Sequence, residues 1–94
     1  MERLAFRVTD RDAFLAFVRA LIEDRRDSLA REAARPSSPY GPDAYGWENV
    51  SIAAFLSAAL AWAEDSRLGQ AHGLDGEPSW RTFALFLSAG QGYE

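Results

Sequence analysis

Ser51-Ile52-Ala53-Ala54-Phe55-Leu56-Ser57-Ala58-Ala59-Leu60-Ala61-Trp62-Ala63-Glu64-Asp65 is the stretch that decides the fold. Ile52, Phe55, Leu56, Ala59, Leu60 and Ala63 recur at three- and four-residue intervals, which aligns side chains on one face of an α-helix. Trp62 sits on the flank of that stripe. Ser51 is a good N-cap, and Val50 before it can pack on Phe55 as a hydrophobic staple. Gly69 is a natural terminator. The spacing predicts a helix over residues 51–67 whose buried face is this stripe.

Working towards the N-terminus, Phe14, Phe17, Val18, Leu21 and Ile22 form a second helical stripe. Thr9 with Asp12 makes a capping-box-like start, so a helix is expected over about 10–26. The stripe weakens across Glu23-Asp24-Arg25-Arg26-Asp27 and resumes at Leu29 and Ala33. Either one long helix runs to Arg35 or a separate helix covers 27–35, and Pro36 stops both. Leu4, Phe6 and Val8 alternate, which suits a short extended N-terminal segment. Residues 36–46 hold Pro36, Pro39, Pro42, Gly41 and Gly46, which forbid a regular helix and predict a Pro/Tyr-rich loop. Working towards the C-terminus, Pro78 or Ser79 opens a helix over 78–90 with Trp80, Phe83, Ala84 and Leu87 facing inward. The expected fold is all-α, a compact bundle of three to four helices in one domain spanning residues 1–94.

The composition suits that core. In 94 residues, 48% are apolar, including three Trp, three Tyr and six Phe, which argues against disorder. The net charge of −4 is unevenly placed. Residues 1–36 carry eight Arg against seven acids, whereas residues 37–94 carry two Arg against seven. An acidic chain disfavours nucleic acid and anionic membrane as partners. The absence of Cys excludes disulfides and thiolate chemistry. The first residues mix charge with apolar side chains, unlike a signal peptide, and the longest low-charge run, residues 50–63, is too short to span a bilayer. A cytoplasmic location is the expectation.

No nucleotide-binding or nucleophile-elbow motif occurs. The lone His72 lies in a Gly-rich loop, where it reads as a solvated residue rather than an acid, base or metal ligand. Asp75 and Glu77 flank Gly76 without the further ligands of a calcium loop, so a turn is the simpler reading. The Arg residues of the first helix interleave with Glu23, Asp24, Asp27 and Glu32 at pairing distance and read as a salt-bridged, solvated face. No cofactor and no metal are expected.

Trp47-Glu48-Asn49, Phe55-Leu56, Trp62, Trp80-Arg81-Thr82-Phe83-Ala84 and Tyr93-Glu94, in that order and spacing, resemble a family of small bacterial proteins known as domain of unknown function 7660. The family implies no activity. Trp47 and Trp80 read as core anchors at helix starts, and Asn49 as a residue holding the turn before the second helix. Tyr93 reads either as docked through a hydrogen bond to Asn49 or Glu48, or as part of a partner-facing cluster. The candidate interaction surface is Trp47, Glu48, Asn49, Trp62, Glu64, Asp65, Tyr93 and Glu94.

Three functions compete. The leading expectation is a non-catalytic protein-binding module, immunity- or antitoxin-like, whose acidic surface meets a protein partner. A second is a self-associating structural protein, a homo-oligomer paired through Leu4, Phe6 and Val8 as an edge strand. A third is a small enzyme or ligand-binding domain, which requires Glu48, Asn49, His72 and Tyr93 to converge in one pocket.

Overall fold

The computed structural model describes residues 1–38, 41–42 and 44–93. Four α-helices form: α1 Glu2–Phe6, α2 Arg11–Ala34, α3 Ile52–Asp65 and α4 Trp80–Gly92. Three-residue 3₁₀ turns at Ala44–Gly46 and Gln70–His72 precede α3 and α4, and there is no strand among the described residues. The all-α expectation holds. The central element is α4, against which α1, α2 and α3 all pack. The molecule measures 42 × 27 × 19 Å, so its thinnest dimension is about two helix diameters.

Short polar side chains start α2, α3 and α4. Ser51 accepts from the Ala54 N–H at 3.1 Å, and Ser79 from the Thr82 N–H at 3.0 Å. The cap of α2 is Asp10 rather than Thr9, accepting from the Ala13 N–H at 2.7 Å. Asp10 stands immediately before the first helical residue in extended backbone, the position from which a side chain reaches the third helical amide.

The ambiguous stretch after Leu21 is one continuous helix. Its inner face runs through Phe14, Phe17, Leu21, Asp24 and Ser28, the same helical period with polar residues at its end. Asp24 and Arg25 therefore meet the core edge rather than solvent. The salt-bridged reading holds for Arg26, 2.9 Å from Glu23, whereas Arg31 donates to the Tyr45 hydroxyl and Glu32 accepts from Ser37.

Three expectations need correcting. The N-terminal segment is helical, not extended, because Ala5 and Val8 are its buried residues while Leu4 and Phe6 are exposed. Contact with α4 rewards a helical spacing there, and an isolated strand would have left its backbone unpaired. Next, α3 is rotated from its expected orientation: Ala58, Ala59 and Trp62 are buried, whereas Ile52, Leu56 and Leu60 face outward. Finally, Trp80 and Phe83 are exposed, and the buried face of α4 is Thr82, Ala84, Leu85 and Gly90. Gly90 is therefore inside the helix, and Gly92 is its last residue.

The end of α3 comes two residues early. The buried Ser66 hydroxyl donates to the Trp62 carbonyl at 2.5 Å and accepts from the Gly69 N–H at 3.0 Å. Arg67 and Leu68 follow with φ of 52° and 53°, then Gly69 at 91°. Left-handed backbone costs a non-glycine residue about 1–2 kcal/mol. The turn is held by the Ser66 bonds and by the Leu68 N–H donating to the Ala63 carbonyl at 2.7 Å.

Candidate functional site

Trp47 is buried, and its indole N–H donates to Asp24 Oδ2 at 2.8 Å. The Arg25 guanidinium lies 5.4 Å from its ring centroid, and the Phe55 ring stacks at 6.2 Å. The next two residues close the end of α4. The backbone N–H groups of Glu48 and Asn49 both donate to the Gln91 carbonyl at 3.2 Å, and Asn49 Nδ2 donates to the Gly90 carbonyl at 3.2 Å. Carbonyls in the last helical turn lack partners within the helix. Gln91 answers through Nε2, which donates to the Tyr45 carbonyl at 3.1 Å and to Asp24 Oδ2 at 3.4 Å. Trp47-Glu48-Asn49 thus clamps α2 to the C-terminal end of α4. Asn49 does hold backbone groups, but those of α4 rather than of the turn beside it. Trp47 anchors the core as expected, although it follows a 3₁₀ turn rather than beginning a helix.

Tyr93 docks through Asp65. Its hydroxyl donates to Asp65 Oδ2 at 2.6 Å, in place of the expected bond to Asn49 or Glu48. That hydrogen bond, then desolvation and the charge of Asp65, raises the phenol above its ordinary pKa of 10.0. Trp62 is buried, with the exposed His72 ring stacked against it at 6.2 Å and planes 3° apart.

The seven described residues of the candidate surface do not form one patch. Trp47 and Trp62 belong to the core, Asp65 is occupied by Tyr93, and Glu64 is exposed at the end of α3. Glu94 lies outside the described residues, as does Tyr40 of the loop. Nor do the four residues of the enzyme reading converge. His72 and Tyr93 share a cleft of about 510 Å³ beside α1 and α4. Asn49 lines a different groove, between α2 and α3, and Glu48 lines neither. Among the described residues no three His, Asp or Glu side chains stand together as a metal site. Asp75 forms the expected turn, its Oδ1 accepting from the Glu77 N–H at 2.9 Å.

Two exposed apolar features emerge instead. Phe14, Trp80 and Phe83 form an aromatic cluster, with ring centroids 5.3 to 6.4 Å apart. Trp80 is 40% exposed, and Asp75 lines the same cleft. Helical period could not show this, since first-turn residues have no preceding turn above them. The second feature is the groove of about 410 Å³ between α2 and α3, lined by Ile22, Val50, Ile52 and Leu56 with Arg25 and Arg26.

The model of a family of unknown function, DUF7660, matches residues 10–94. The chain belongs to DUF7660. The matched region contains the whole Trp47-Glu48-Asn49 clamp, Tyr93 and the aromatic cluster, while α1 precedes it. No match was found among curated proteins or solved structures. In this DUF7660 chain no helix among the described residues is long and apolar enough to cross a membrane.

Proposed function

We propose that this DUF7660 chain is a non-catalytic protein-binding module, immunity- or antitoxin-like, and that Trp80 and Phe83 are its anchors. The observation that carries this reading is the solvent-exposed aromatic cluster on α4, backed by Phe14. Tryptophan dominates binding energy at protein interfaces because it buries a large, rigid area with few torsions to freeze. Asp75 and Arg81 line the same cleft as Trp80, Arg81 donating to the Val8 carbonyl. Asp10, Asp12 and Glu77 are exposed next in sequence to these segments, with Arg11 between the two aspartates. An apolar centre flanked by more acids than cations suits a partner presenting an apolar pocket edged by basic side chains, and such a flank speeds encounter.

The test is retrieval of a partner from a lysate of the source organism at low salt, followed by affinity measurements on that partner. Trp80→Ala should weaken binding about 30-fold, the size expected of an interface hot spot, with an unchanged circular dichroism spectrum. Asp75→Arg should lower the association rate. A partner bound with equal affinity by Trp80→Ala, or no partner at all, would count decisively against the reading.

A further inference from the structure

We infer that this chain forms a two-fold symmetric dimer in which α3 of one copy lies antiparallel against α3 of a second copy. Ile52, Leu56 and Leu60, four residues apart, form an outward stripe that is 81%, 53% and 55% exposed. Among the described residues no segment covers it, and Val50 and Ile22 extend it across the groove towards α2.

With Val50 55% and Ile22 45% exposed, the stripe is part of an apolar face of five large side chains, of the kind that marks a protein–protein contact.

The pattern is also self-complementary. The stripe continues at the same spacing to Glu64, so its midpoint lies between Leu56 and Leu60. A two-fold axis there sets Leu56 against Leu60 of the second copy, in the isologous pairing a symmetric dimer requires. It also sets Glu64 beside Ile52 of the second copy, where Arg26 lines the groove. Glu64 is disfavoured by the dipole of its own helix end, and antiparallel pairing brings it to the opposite end of another α3. Arg26 pairs with Glu23 at the exposed surface, and such a pair is readily shared. This dimer surface is separate from the Trp80 cluster.

Sedimentation equilibrium over a wide concentration range tests it. The unaltered chain should weigh twice its 10.4 kDa, and Leu56→Glu should weaken the dimer at least 30-fold with its helix content retained, since Leu56 is exposed. Glu64→Arg and Arg26→Glu should each weaken the dimer, and the double variant should restore it. Trp80→Ala should leave the mass unchanged, which separates this inference from the proposed function. A monomer at every concentration overturns the dimer, including the case where Leu56→Glu instead abolishes binding of a different protein. A dimer that survives Leu56→Glu, that is lost with Trp80→Ala, or whose charge reversal fails to rescue overturns the geometry.

Discussion

Tyr93 and Asp65 are separated by 28 residues and joined by a 2.6 Å hydrogen bond. Because the carboxylate accepts a hydrogen bond from the neutral phenol, folding favours neutral Tyr93 and raises its pKa above 10.0. The stabilisation is fully present below the unfolded value near 10 and is lost as pH rises through the higher folded value. Urea midpoints measured from neutral pH upward should therefore fall more steeply above pH 10 for the unaltered chain than for Tyr93→Phe. Parallel curves would show that the bond does not contribute. The sequence left Tyr93 open between a docked and a partner-facing residue, and the bond to Asp65 docks it. Asp65 was not legible as its partner, since local spacing carries no information about a contact 28 residues away.

At the scale of elements, the approach of α3 to α4 turns on Gly90. A Cβ there would stand 2.6 Å from the Phe55 ring, closer than carbon atoms pack. Gly90→Ala gains helix propensity of about 1 kcal/mol, but overpacking at a helix contact costs about 1–3 kcal/mol. A net loss of about 1 kcal/mol is expected, read from urea denaturation; a stabilised variant would mean that the two helices sit farther apart. For α2, α3 and α4, element type and approximate bounds were legible because helical period and the capping hydroxyls of Ser51 and Ser79 act within a few residues; α1 was not, because five residues carry too little period. The inward face of α3 was not. Apolar residues occupy Ile52, Ala53, Ala54, Phe55 and Leu56 consecutively, so several rotations bury similar area. The small Ala58 and Ala59 allow a closer packed face than the leucines would.

Across the whole molecule, Asp24 is the junction of three segments: it lies on α2 and accepts from Trp47 of the clamp and from Gln91 of α4. Asp24→Ala should cost about 1.5–3 kcal/mol, the range for hydrogen bonds to a charged group. Asp27→Ala on the exposed side of the same helix should stay within about 0.5 kcal/mol. Thermal and urea unfolding of the two variants checks this, and equal costs would remove Asp24 from its role. By itself the sequence determined an all-α chain, the Ser51 and Ser79 caps and the resemblance to DUF7660, because these rest on short-range periods and on motif order. It also confined the acidity to residues after 36. Only the tertiary structure decided that Trp47-Glu48-Asn49 is a clamp rather than a surface, that Ile52, Leu56 and Leu60 face outward, and that Trp80 is exposed. Those outcomes depend on which helix meets which, and that is set by side-chain volume and by hydrogen bonds spanning 23 to 67 residues, beyond the reach of any local pattern.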